Sequence, residues 1–387
     1  MKMLKNAIGS KAKVLCLFAL ALLLQSPAAL QVRAQTSKTD SHTTWQWQDN
    51  GWKKSLEIRG RVEFTDDYTD IKSVTDGGFV RIEETQGGTT RRLDVVPEAN
   101  GQLRRTFYVG GVSRAMNEQD RAWVAKIILE AVRQGAVDAD RRVQRIFERR
   151  GLSGVMEEIS LIQGDYAKRI YFNALIKNRS LDASSLQVVF RESARQISSD
   201  YEQAQLLISA AEMIAGRSPA LPAFFEAAGT IQSDYEHRRV LSTLLKRSEP
   251  GRDLLLMVVR SAARIASDYE KATLLREVAA LSLEDAQLAA AFFQTTGTIK
   301  SDYEHRRVLS ALLKRRGLGP NVLGRILESA ARISSDYEKA TLLLEASSAY
   351  SGDTRLRDAF LRTVETIKSD YERGRVLSTM LKNKQMD

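Results

Sequence analysis

The chain has 387 residues, a formal net charge of +10, three histidines and one cysteine. Half of that charge lies in residues 1–34, where Lys2, Lys5, Lys11, Lys13 and Arg33 meet no acid; without them the charge is +5, and a nucleic-acid partner is not expected. Cys16 lies in the same stretch, which excludes disulfides and thiol chemistry from everything after it.

Residues 1–34 read as a secretory signal peptide. Basic residues precede the apolar run Val14 to Leu24, and Val32-Arg33-Ala34 offers small residues before a cleavage point after Ala34, with Ala28 as a competing site. The run is about half the ~20 residues a bilayer span needs, so no stable membrane insertion is expected once the leader is gone. Cys16 lacks a lipobox-like context, and the expected location is exported, periplasmic or extracellular.

Residues 35–53 are polar and rich in Ser and Thr, and read as a flexible linker. Trp45, Trp47 and Trp52 could form a docking segment; the preferred reading has them covering the edge of the next domain. Across 54–112 the apolar period changes to two. Strands are expected over 55–60 and 61–64, then 79–84, 91–96 and 103–109, with turns at Asp76-Gly77-Gly78, Gln86-Gly87-Gly88, Ala99-Asn100-Gly101 and Gly110-Gly111. Val80, Ile82, Leu93, Val95, Phe107 and Val109 share one face. That predicts a small antiparallel β-meander with one wet side, packed on the first helix through Trp123, Ile127 and Ile128. Residues 113–164 read as connecting helices, with ends at Gly135 and Gly151.

Residues 165–387 are organised by six copies of Ser-Asp-Tyr-Glu, starting at Ser199, Ser233, Ser267, Ser301, Ser335 and Ser369, each 34 residues after the last. Constant spacing means a stacked array in which every unit makes the same contacts with its neighbours. Ser-x-x-Glu is the capping-box pattern. Ser199/Glu202, Ser233/Glu236, Ser267/Glu270, Ser301/Glu304, Ser335/Glu338 and Ser369/Glu372 are therefore expected to start helices, the Ser accepting from the Glu amide and the Glu reaching back to the Ser amide. Val240, Leu241, Leu244 and Leu245 form an apolar stripe after one start; Leu254, Val258, Ala262 and Ile265 form the stripe of the helix that returns. Copies at Asp200, Asp268 and Asp336 continue differently from those at Asp234, Asp302 and Asp370, so the full unit is 68 residues, two alternating helix pairs. Gly164-Asp165-Tyr166-Ala167 is a degraded first copy without either cap partner, and the last copy stops after one helix.

The fold class expected is thus mainly α: an α-solenoid of helix-pair repeats behind a β-meander. The period matches tetratricopeptide repeats, whose Trp, Leu-Gly and Tyr pattern is missing, so the array is similar only in plan. A second resemblance lies in Glu63-Phe64-Thr65-Asp66-Asp67, Gly77-Gly78 and Glu83-Glu84-x-x-Gly87-Gly88-Thr89-Thr90-Arg91-Arg92-Leu93, coupled to Ser-Asp-Tyr-Glu helix pairs. Together these resemble the region after the peptidase domain in some bacterial BlaR-type membrane metallopeptidases, and exported free-standing homologues of unknown function. The likeness covers about residues 55–387 and implies an extracytoplasmic sensory or scaffolding region. His-Glu-x-x-His is absent, so nothing catalytic carries over.

No cofactor, metal or catalytic site is expected. His237 and His305 each neighbour an Arg and have no second ligand four residues on. Two repeated features remain. Arg238, Arg239, Arg306, Arg307 and Arg375 could line a basic stripe that captures an acidic protein or envelope polymer, or form a solvated face with local pairs Asp234–Arg238 and Asp302–Arg306. Tyr235, Tyr269 and Tyr303, with Tyr201, Tyr337 and Tyr371, could line a binding groove, or pack between units, the commoner use of a repeated Tyr. The function expected is a non-enzymatic scaffold for protein–protein interaction or sensing, with polyanion binding as the alternative.

Overall fold

The computed structural model describes residues 33–37, 42–49, 51–177, 181–215, 218–248, 250–281, 283–315, 317–347 and 354–384. The expected leader, apart from its last two positions, lies outside the described residues.

The N-terminal part is built from β1 (Arg33–Ser37), β2 (His42–Asp49), β3 (Trp52–Arg59), β4 (Val62–Phe64), β5 (Ile71–Val74), β6 (Phe79–Gln86), β7 (Thr89–Pro97), β8 (Leu103–Val109) and β9 (Val112–Arg114). One antiparallel sheet runs β1-β2-β3-β6-β7-β8-β9, and β4 and β5 pair separately as a hairpin. Register places Leu56 opposite Ile82, Ile82 opposite Leu93 and Leu93 opposite Phe107, so one apolar row crosses four strands. A second row runs Ile58, Val80, Val95. Helix α1 (Glu118–Gln134) covers this face, burying Trp123, Val124, Ile127, Ile128 and Ala131 against it in one core. The hairpin adds Phe64, Tyr68, Ile71 and Val74 to the same core. At the end of the face two buried charges are matched rather than left bare. Lys54 Nζ lies 2.6 Å from Glu130, and Trp123 Nε1 donates to Glu84 at 3.0 Å.

The linker expected over 35–53 is corrected: β2 pairs with β3 along its whole length, from His42 opposite Arg59 to Asp49 opposite Trp52. Its polar composition reflects a paired strand whose residues His42 to Gln46 are half-buried or exposed, not a chain without structure. Trp45 covers the domain edge as expected, its Nε1 donating to the Gly135 carbonyl at 3.1 Å. Helix α2 (Ala139–Ser160) is broken at Gly151, whose φ of 64° no other residue adopts as readily.

The array follows as α3 (Asp165–Ile176), α4 (Ala183–Gln196), α5 (Asp200–Ala215), α6 (Leu221–Ala228), α7 (Asp234–Arg247), α8 (Arg252–Ala262), α9 (Asp268–Ala279), α10 (Ala286–Thr296), α11 (Asp302–Leu313), α12 (Pro320–Ala330), α13 (Asp336–Ala346), α14 (Thr354–Glu365) and α15 (Asp370–Lys384). Helices α3, α5, α7, α9, α11, α13 and α15 pack in that order as one row; on the other side α4 packs on α6, and α8, α10, α12 and α14 pack in succession. The stripe residues Val240, Leu241, Leu244, Leu254, Val258, Ala262 and Ile265 are all buried, in a core that continues from Ala139 to Val376. The molecule is therefore a helical repeat array whose paired helices stack in sequence.

Half of each expected capping box forms. Ser233 accepts from the Glu236 amide at 3.3 Å, and Ser199, Ser267, Ser301, Ser335 and Ser369 do the same for Glu202, Glu270, Glu304, Glu338 and Glu372. The return bond from Glu to the Ser amide is replaced. The Ser267 amide donates instead to Asp234 of the preceding unit, at 2.7 Å, and the Ala266 amide donates to the other Asp234 oxygen at 3.0 Å. Asp165, Asp200, Asp268, Asp302 and Asp336 hold Ser199, Ser233, Ser301, Ser335 and Ser369 in the same way. A carboxylate at one helix N-terminus thus also fixes the next, where the orphan amides and the positive helix end both favour it.

Candidate functional site

The Ser-Asp-Tyr-Glu helices all begin at the same end of their row. Tyr is the second residue of each, in the first turn, where the ring is left about half exposed or more. Packing between units is done further along by Val240, Leu241, Leu244 and their equivalents. The expectation that the tyrosines pack between units is corrected: Tyr201, Tyr235, Tyr269, Tyr303 and Tyr337 are 51–58% exposed, and Tyr371 on the last helix is 76% exposed.

Three of these rings are nonetheless held. Arg238 and Arg239 lie 5.2 and 5.6 Å from the centre of Tyr235, and Arg306 and Arg307 lie 5.4 and 5.5 Å from that of Tyr303. Arg375 reaches 5.7 Å from Tyr337, and Arg169 5.2 Å from Tyr166. These are cation–π distances.

The same arginines are tied to the glutamates freed from the capping box. Arg238 bonds to Glu270 and Arg306 to Glu338, each in the following unit, as Arg169 does to Glu202. Arg239, Arg307 and Arg375 turn back to Glu236, Glu304 and Glu372 on their own helices, at 2.6, 2.9 and 2.7 Å. The 68-residue alternation now has a physical basis: one kind of unit carries two arginines, the first reaching forward and the second reaching back. The local pairs Asp234–Arg238 and Asp302–Arg306 do not form, because each Asp is occupied by two amides of the next unit. The arginine stripe is thus largely neutralised.

His237 and His305 are buried rather than available. His237 Nε2 sits 2.9 Å from Ser261 Oγ and His305 Nε2 2.8 Å from Ser329 Oγ. Burial, helped by Arg264, pushes the His237 imidazole down to about 4, and burial lowers His305 also. In the alternate units Lys271 and Lys339 take the same place and reach Thr298 and Thr366, at 2.8 and 2.9 Å; burial lowers both ammonium groups.

What the array offers a partner is therefore a line of half-exposed aromatic rings, one per unit, of which Tyr235, Tyr303 and Tyr337 are braced by arginines whose charge is matched. The inter-unit role of the Asp was missed in the sequence. A signal for it existed: the degraded first copy loses Ser and Glu but keeps Asp165 and Tyr166, and Asp165 accepts from the Ser199 amide of the next unit.

No family model, curated protein or solved structure matches the chain.

Proposed function

We propose that this chain is an exported, non-enzymatic scaffold that holds an extended segment of a partner protein along its row of tyrosines. The observation that carries the reading is the exposure of a large aromatic side chain at the same place in six successive units, Tyr201 to Tyr371. A stability role would bury those rings; exposed aromatics in line are the usual anchors of recognition surfaces. Helices pack with axes about 8–10 Å apart. A polyproline II segment advances about 9 Å per three-residue turn, so one turn per unit would set an apolar or proline residue on each ring. Aromatic-lined grooves bind such segments because the ligand is already ordered. The resemblance to exported regions of BlaR-type proteins, and the leader over 1–34, support the location and a sensing role.

The alternative, polyanion capture by the arginine stripe, is weakened by the ion pairs that occupy Arg238, Arg239, Arg306, Arg307 and Arg375. A peptide-display selection against the wild-type chain and the Tyr235→Ala/Tyr269→Ala/Tyr303→Ala variant separates the two. The expected binders carry apolar residues at every third position, lose about tenfold or more in affinity for the variant, and survive about 0.5 M salt. Acidic binders that ignore the variant and are released by salt would replace this reading with the alternative.

A further inference from the structure

One place on the array keeps positive charge that its neighbours have neutralised. Between α9, α11 and α13 lies a cleft of about 450 Å³ lined by Arg276, Arg306, Arg307, Ser310, Lys314 and Arg315, with Glu345 at its side. Its size falls in the range of small-molecule pockets, about 300–1,000 Å³. Arg307 is paired with Glu304, and Arg306 with Glu338 and Glu345. Arg315 donates to the Leu281 carbonyl, while Arg276 and Lys314 make no ion pair among the described residues. Five cations thus face three carboxylates, an excess of two positive charges.

The molecule contains its own comparison, 68 residues earlier. There Arg238, Arg239, Lys246 and Arg247 hold the equivalent positions. Each has an acid: Glu270, Glu236, Glu277 at 3.3 Å and Glu212 at 3.8 Å. Among the lining residues two charge-changing replacements separate the levels, beside the neutral change of Thr243 to Ala311. Ile208 becomes Arg276, and Glu212 becomes Ala280, which lines the cleft. Each moves the local charge by one unit in the same direction. The buried hydroxyl of Ser310 has no hydrogen-bond partner, but neither has that of its counterpart Ser242, so the charge and not the hydroxyl distinguishes the two levels.

We propose that the cleft between α9, α11 and α13 binds a phosphomonoester. A dianionic group matches the excess charge, the arginines offer forked donors to its oxygens, and the remaining volume takes the organic part. The site does not depend on the tyrosine row. Titration calorimetry with phenyl phosphate at low ionic strength tests it, against phenylacetate as a monoanion. One molecule of phenyl phosphate should bind, with phenylacetate at least about tenfold weaker. Arg276→Ile and Ala280→Glu, which install the residues of the neutral level at partly or fully exposed positions, should each weaken binding by about tenfold. Ile208→Arg/Glu212→Ala should raise the stoichiometry from one to two. No binding of phenyl phosphate, equal binding of phenylacetate, or unchanged binding in both cleft variants overturns the proposal.

Discussion

Asp234→Ala removes a carboxylate that serves a helix one repeat away. Two amides lose their acceptor: Ser267, which donates at 2.7 Å, and Ala266, which donates at 3.0 Å. Hydrogen bonds to a charged acceptor are worth about 1.5–3 kcal/mol when buried, but Ala266 is exposed, and water takes over part of that bond. Loss of an N-cap side chain costs about 1 kcal/mol on average. The expected cost is therefore about 1–2 kcal/mol, or roughly 5–30-fold in local opening. Native-state hydrogen exchange is the assay, read at the Ser267 amide, because a repeat array can open locally without melting as a whole. Two companions make the result decisive. Asp165→Ala, in the degraded copy, should expose Ser199 to the same degree, since Asp165 bonds to that amide at 2.7 Å. Asp370→Ala should change little, within about 0.5 kcal/mol, because its side chain is 97% exposed and, among the described residues, accepts from no amide of another helix. Equal effects of Asp165→Ala and Asp370→Ala would refute the inter-unit role.

Other outcomes follow from single contacts. Because the folded His237 pKa lies near 4, below its ordinary 6.5, its neutral form is favoured by folding. No stability is lost to it above about pH 6.5; between there and about 4 the unfolded chain takes up the proton first, and stability should fall by on the order of 3 kcal/mol. His237→Gln should flatten that slope in urea melts at several pH values. Asp336 adds a separate, lower window. Burial opposes its charge, but the Ser369 and Lys368 amides outweigh burial and hold its carboxyl below the usual 3.8, so its contribution should disappear only as pH falls below that value. Gly135→Ala would bring a methyl group within 2.7 Å of both the Trp45 indole and the Ala131 carbonyl. It should cost about 1–3 kcal/mol and shift tryptophan fluorescence, whereas an unshifted spectrum would contradict the docking of β2. Tyr235→Ala alone should leave the thermal midpoint nearly unchanged, since a half-exposed ring contributes within about 0.5 kcal/mol; a drop of several degrees would make the ring structural.

The array was legible in the sequence because its causes are local. A serine that caps, an apolar stripe with helical period and a 34-residue spacing specify where each helix begins and which side it buries. The central strands were legible for the same reason, since the alternation through Val80 and Ile82, and through Leu93 and Val95, needs no knowledge of distant residues. Strands β1, β2, β5 and β9 were not: β5 buries Ile71 and Val74, three residues apart rather than alternating, and every residue of β9 is exposed. By itself, then, the sequence determined the repeat, its direction and its core. Only the stack decided who bonds to whom, because Asp234 and Ser267 lie 33 residues apart along the chain and meet only once the helices are side by side. The same stacking decided that the tyrosines stay at the surface and that one arginine cleft keeps its charge.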